Sequence, residues 1–477
     1  MRRSIRFQIA LATLALLPAM LGAVLTAPLG AQQQRPLSRW ESQARALLKE
    51  LVEINTTHSV GNTVTAAEAM ARHMRAAGFP SEDVIVVENA PRKGNLVVRM
   101  RGRSRAQKPI LLLSHIDVVE ADPRDWTLPP FTFIEQNGSF YGRGVADDKD
   151  ESAIHLTLLL RMRAEGITPD RDIIVALTAD EEGGPENGVK WILANRPELL
   201  DAAYALNEGG GGRMEDGRRI SNDVQASEKK VANFILEATN SGGHSSVPRP
   251  DNAIYSLARA LARFGESHQP VKLNEVSRAY FARQAEIVGG ETGAAMRRIV
   301  ANERDDAAAA IIARDPSNNS RMRTTCVATM LSGGHAMNAL PQRARATVNC
   351  RILPDETMET VQARIVAAVA DTSVHITVER AAEDSPASPL TADLLRTFER
   401  TAQEMWPGMP TVPTMSTGAT DGRFLRNAGI PVYGISGLFY ENANAHGMNE
   451  NVSSKSFYEG LEFMYRLVRQ LTSGPGM

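Results

Sequence analysis

The chain has 477 residues, 43% of them hydrophobic and 23% charged, with a formal net charge of −2. That is enough for two or three domains with real cores. The near-neutral balance argues against a nucleic-acid binder, which usually shows a basic face.

The N-terminus reads MRRSIRFQIALATLALLPAMLGAVLTAPLGAQQQ. Arg2, Arg3 and Arg6 precede an uncharged, mostly apolar stretch, residues 7–29, which ends in Gly30 and Ala31. This is a secretory signal pattern, residues 1–31, with cleavage after Ala31. The stretch is also long enough to span a membrane. Pro18, Pro28 and the small residues favour cleavage, and no cysteine follows to carry a lipid. The reading is an exported protein, periplasmic or secreted, with no membrane contact once the signal is removed.

Trp40, Ala44, Leu47, Leu48 and Leu51 share one face of a helix over residues 39–54, and a second helix covers 64–77, ended by Gly78 and Pro80. NLVVRM and PILLLSHID read as buried strands, and ESAIHLTLLLRMRAEG (151–166) as a helix. RDIIVALTADEEGG and AAYALNEGGGG are two more buried strands that run into acids. Helices alternating with continuous apolar strands predict an α/β domain with a mainly parallel sheet.

The texture changes near Gln225. A strand (KKVANFILEAT), a helix (NAIYSLARALARFGE), a helical stretch over 275–314, two strands carrying Cys326 and Cys350, a helix over 356–370 and the strand VHITVER follow. Two helices against an antiparallel sheet predict a separate α+β domain over 225–385, inserted between a first catalytic part, 36–224, and a second, 386–477. AEDSPASP is its exit linker. The two cysteines lie on strands that could be neighbours. They could pair in an oxidising compartment or remain two buried thiols. Two cysteines cannot build a cysteine-based zinc site.

The strand ends carry the chemistry. In open α/β sheets ligands bind beyond the carboxyl ends of the strands. His115 and Asp117 end one strand, Glu181 and Glu182 another, and Glu208 a third. The loop GRGVADDKD adds Asp147 and Asp148, and NANAHGMNEN adds His446. Imidazoles and carboxylates suit zinc, with manganese or cobalt as substitutes. A two-metal site needs a bridging carboxylate and a bridging water. Asp117, two residues after His115, is expected to hold the imidazole of a metal-bound histidine. Of the adjacent glutamates, one can bind metal while the other handles protons.

In order and spacing, SHIDVVEADPRDWTLPPF, YGRGVADDKD, TADEEGG, LNEGG, GGHSSVPRPDNAI and NAHGMNENV resemble the di-zinc metallopeptidase and aminoacylase family. That family includes glutamate carboxypeptidase, Gly-Xaa carboxypeptidase, aminoacylase-1, succinyl-diaminopimelate desuccinylase and acetylornithine deacetylase. The resemblance covers nearly the whole mature chain. It implies a zinc-exopeptidase catalytic domain, an inserted lid or dimerisation domain, and two Zn²⁺ per subunit. His115 and Glu208 would bind one ion, Glu182 and His446 the other, and Asp147 would bridge. Glu181 would be the general base acting on the bridging water, with Asp117 orienting His115. His244 of GGHSS would reach a partner subunit's site in a homodimer and stabilise the tetrahedral oxyanion. Arg351 would clamp the substrate carboxylate. Asn252 and Gly418 match substrate-contacting positions.

One departure stands out: Asp150 follows ADDK, where the family usually has Gly. The expected activity is that of a metallocarboxypeptidase releasing a C-terminal amino acid from a small peptide. The runner-up is hydrolysis of an N-acyl amino acid or dipeptide by the same machinery. A non-catalytic metal-binding protein would have lost the base or a ligand, and none is lost here.

Overall fold

The computed structural model describes residues 35–473. The signal segment read at 1–31 lies outside the described residues. Among those described, no helix is long and apolar enough to cross a membrane.

A ten-stranded sheet organises the molecule. Its centre is Ile110–His115, parallel to Ile173–Thr178 on one side and to Tyr204–Asn207 on the other. Every residue of Ile110–His115 and Ile173–Thr178 is buried. That is why these segments read as unbroken apolar runs: helices cover both faces. Val432–Gly434 continues the parallel order beside Tyr204–Asn207, and Thr411–Ser416 runs parallel to Arg218–Glu228. Antiparallel pairs complete the edges, with Val84–Ala90 on Lys93–Met100 at one end and Gly211–Glu215 on Arg218–Glu228 near the other. The helix Lys149–Ala164 is buried through most of its length. It shares one core with the amphipathic helices Arg39–Glu53 and Ser454–Thr472.

The glycine run after Glu208 is explained by close approach. A Cβ on Gly210 would lie 2.0 Å from the Gly434 carbonyl oxygen, and one on Gly212 would lie 2.1 Å from the Phe439 ring. Only glycine lets the neighbouring strands pack there.

A second, four-stranded antiparallel sheet has the order Thr325–Gly333, Arg343–Ile352, Lys230–Thr239, Val374–Arg380. The helices Ala253–Glu266 and Met358–Val369 share its core. This is the α+β lid beside a mainly parallel catalytic sheet. Cys326 and Cys350 face each other in register and are disulfide-bonded, with Cα atoms 4.1 Å apart. The pairing that the sequence left open is therefore made.

Residues 275–322 form four helices, Glu275–Val288, Gly290–Ala301, Asp306–Ile312 and Pro316–Met322. Their apolar side chains, among them Phe281, Met296 and Ile312, gather around Val412 of the large sheet rather than in the lid core. The linker 382–389 is irregular, yet Ser385 and Ser388 are buried within it. Ser388 Oγ donates to the Val432 carbonyl at 2.7 Å and accepts from the Val432 amide at 2.8 Å. The return crossing is thereby tied to the catalytic sheet.

Candidate metal centre

The central strands deliver their terminal side chains to one place. His115 Nε2 lies 3.1 Å from Asp147 Oδ1, and His446 Nε2 lies 3.0 Å from Asp147 Oδ2. Each oxygen of Asp147 thus faces a different imidazole, the arrangement a bridging carboxylate requires. His446 Nε2 is also 3.0 Å from Glu182. Among the described residues two sets of donors are compact enough to hold a cation: His115 with Asp147 and Glu182, and His115 with Glu181 and Glu208.

The electrostatics call for positive charge. Burial, then the neighbouring Asp421, drives the Glu181 carboxyl well above the usual range. Burial followed by Glu181 does the same to Glu208. Asp148 is raised by burial and then by Glu151, and Glu151 by burial and then by Asp150. Glu151 Oε2 is buried with no hydrogen-bond partner. So many desolvated carboxylates in one place are stabilised by divalent cations, and the nitrogen and oxygen donors suit zinc-like ions. The residues present fit two metal ions.

Asp117 divides its work differently from the expectation. The His115 Nδ1 atom bonds the backbone carbonyl of Asp117 at 3.0 Å, while the carboxylate Oδ1 stands at 3.6 Å. The carboxylate instead accepts the backbone N–H groups of Glu181 and Glu182, at 3.1 Å each. It therefore sets the position of the glutamate pair. The residue before that pair, Asp180, has φ +60°. It is held there by its buried ion pair with Lys93 and by accepting the Glu186 N–H at 3.2 Å.

Several positioning residues were given no role by the sequence reading, although Arg143 and Glu450 lie within its motifs. Arg143 and Glu450 form a buried ion pair at 2.7 Å. Glu450 also accepts the N–H groups of Gly144 (3.1 Å) and Ala146 (2.9 Å), and Arg143 donates to the carbonyls of His446 (3.3 Å) and Gly447 (3.1 Å). The loop carrying Asp147 is thereby fastened to the loop carrying His446. Asp421 is buried, its carboxyl pushed up to about 6 by burial, and it accepts from Asn187 Nδ2 at 2.6 Å. Asp150 is fully buried rather than solvated and accepts from the Tyr440 hydroxyl at 2.7 Å. Burial pushes its carboxyl to about 7. Of these groups the sequence reading singled out Asp150 alone, as a departure from the family pattern.

The remaining expected residues are not members of these donor sets. His244 is exposed in the lid, its Nδ1 bonded to Ser246 Oγ at 2.7 Å. Arg351 is half-buried on the lid strand opposite Thr325, and burial lowers its pKa. Asn252 Oδ1 caps the helix Ala253–Glu266, accepting from Ile254 N and Tyr255 N. Gly418 donates its N–H to Ser416 Oγ at 3.0 Å; Ser416 and Thr417, not Gly418, line a cleft of about 460 Å³ that opens from Asp147 and Glu208.

Strand-end acids and imidazoles on a mainly parallel sheet, with a lid inserted, define a metal-dependent hydrolase of amide or peptide bonds. The chain belongs to Peptidase family M20/M25/M40, whose family model matches residues 111–470. It is 27% identical to the N-fatty-acyl-amino acid synthase/hydrolase of Mus musculus, over 91% of this chain and 89% of that protein. It is 28% identical to the probable carboxypeptidase S-like 2 of Dictyostelium discoideum, over 82% of this chain and 77% of that protein. In fold it matches the crystal structure of an M20 family metallo-carboxypeptidase from Sulfolobus solfataricus, with a TM-score of 0.66 and 18% identity, covering 90% of this chain and 98% of that one.

Proposed function

We propose that the protein hydrolyses an amide whose nitrogen belongs to an amino acid with a free carboxylate, releasing that amino acid. The observation that carries this reading is the compact set of His115, Glu181 and Glu208 beside Asp147. It combines cation donors with a carboxyl group raised by burial. Two Zn²⁺ ions are the expected cofactors, held by His115, Glu208, Glu182 and His446 with Asp147 between them. When bound, such ions polarise the scissile carbonyl and acidify a water.

The chain's own groups do the rest. Glu181 takes the proton of the attacking water and delivers it to the leaving nitrogen. Its carboxylate, next in sequence to Glu182 and grouped with His115 and Glu208, is placed to accept a proton and pass it on. Arg351 is the proposed clamp for the substrate carboxylate, a geometry suited to a guanidinium fork. His244, exposed on the lid, is available to the site of a second copy. A homodimer through the lid is supported by the edge strand Thr325–Gly333, where Val327, Met330 and Leu331 are exposed. Export is supported by the N-terminal pattern and by the disulfide, which oxidising compartments favour.

The acyl partner is either a simple or fatty acyl group or a peptide. Similarity to the N-fatty-acyl-amino acid synthase/hydrolase favours the first, and similarity to the carboxypeptidase S-like protein favours the second. The test is hydrolysis by the zinc-loaded mature protein of N-acyl amino acids, N-blocked dipeptides and free dipeptides, with a chelated sample alongside. Cleavage of N-acyl amino acids or of the last bond of blocked dipeptides, abolished by chelation, supports the proposal and separates the two acyl readings. Turnover that survives complete metal removal overturns it.

A further inference from the structure

The cleft that opens from Asp147 and Glu208 runs along the chain from Glu208 to Arg213. Five residues of extended chain reach at most about 17 Å. Apart from the acids beside the metal centre, the charged residues lining it are Arg213, Asp223 and Arg321. Arg213 is already engaged, donating to Glu215 and to Gln284 at 3.1 Å each. Asp223 accepts from Ser221 Oγ at 2.5 Å.

Arg321 is different. It comes from the last helix of the 275–322 segment, and among the described residues it makes no ion pair within 4.0 Å. Its guanidinium lies 4.9 Å from the centre of the Tyr280 ring and donates to Ser317 Oγ. Its Nε is buried with no acceptor. The aromatic face and the hydroxyl fix the guanidinium plane without neutralising it. Asp223 and the buried Lys229 both interact electrostatically with Arg321, and Asp223, already bonded to Ser221, makes no ion pair with it.

We propose that Arg321 forms a subsite for a second carboxylate on the substrate, remote from the scissile amide. The inference deepens the amidohydrolase reading and rests on it. A planar, pre-oriented guanidinium on the cleft wall is matched by a carboxylate, which can accept parallel hydrogen bonds from its N–H groups. The same chemistry has two sources, an acidic side chain on the released amino acid or the far end of a dicarboxylic acyl group. A long uncharged alkyl chain would leave the guanidinium desolvated and unpaired, which is unfavourable.

The experiment compares near-isosteric substrates on the zinc-loaded protein. One arm pairs N-acetyl-glutamate with N-acetyl-glutamine, and the other pairs an ω-carboxyacyl-alanine with its ω-carboxamide. In one arm the carboxylate is preferred by about tenfold or more in kcat/KM, mainly through KM. That ratio falls towards one in Arg321→Met and is partly kept in Arg321→Lys. The arm that shows it identifies the source. Equal cleavage of carboxylate and carboxamide in both arms by the unaltered protein overturns the subsite, as does a preference that Arg321→Met leaves intact. Titration calorimetry with the same four compounds reads the preference without turnover. If nothing is cleaved but a carboxylate still binds about tenfold tighter than its amide, and Arg321→Met removes the difference, the functional reading fails and the subsite stands.

Discussion

The Arg143–Glu450 pair tests whether the two metal loops are held as a unit. Its side chains are 2% and 0% exposed, so breaking the pair leaves a charge in low dielectric. Glu450→Gln keeps the shape and one acceptor for the N–H groups of Gly144 and Ala146, but strands the guanidinium. Removing one partner of a buried pair costs about 3–5 kcal/mol. Arg143 retains the carbonyls of His446 and Gly447 and lies 4.9 Å from the centre of the Trp126 ring, so the lower end, about 3 kcal/mol, is expected. Arg143→Met strands the carboxylate instead and costs a similar amount. The double variant costs less than the sum by about 2 kcal/mol, because neither charge is left behind. Urea denaturation of the metal-free protein measures all four corners of this cycle. Zinc affinity, measured by competition with a chromophoric chelator, should fall about 10–100-fold in Arg143→Met as His446 loses its anchor. Additive stability changes together with unaltered zinc affinity would show that the pair is not what joins the loops.

Glu181→Gln should lower kcat by about 10²–10⁴-fold with little change in KM or bound zinc. Unchanged turnover would remove Glu181 as the base. His446→Ala should reduce bound metal, read by elemental analysis after gel filtration, and a full complement of two ions would place the second ion elsewhere. Lys229 is buried, and burial, followed by Arg351, lowers its pKa from 10.5 to about 7. The unfolded chain therefore binds the extra proton between these values, and stability rises with pH across this window. Relative to Lys229→Met, which lacks the titration, the unaltered protein should gain stability on the order of 3 kcal/mol between pH 7 and 10. Parallel stability curves would refute the depressed pKa. Reducing the Cys326–Cys350 disulfide, which spans a separation of 24 residues, should destabilise the lid by about 3 kcal/mol. A thermal scan with and without reductant checks this, and coincident transitions would count against the bond.

Strand by strand, the catalytic sheet was legible because burial on both faces writes itself as unbroken apolar runs, as in Ile110–His115 and Ile173–Thr178. The acids and imidazoles were legible for a related reason. Metal and proton chemistry demands particular side chains, and parallel strands set them down at one edge, so His115, Glu181, Glu182 and Glu208 could be read from where their strands end. What the sequence could not reveal were groups whose roles depend on partners far along the chain. Glu450 looks like any loop acid until Arg143, 307 residues away, closes on it. Asp117 matched its expected place, yet the fold gave its carboxylate to the amides of Glu181 and Glu182 and left the imidazole to its backbone carbonyl. The stretch 275–314 read as helical, but only packing placed the helices of 275–322 on Val412 of the large sheet and turned Arg321 into the cleft. Residue type and period are local properties of the chain. Which unpaired charge ends up facing which cleft is decided by long-range packing, and only the tertiary structure holds it.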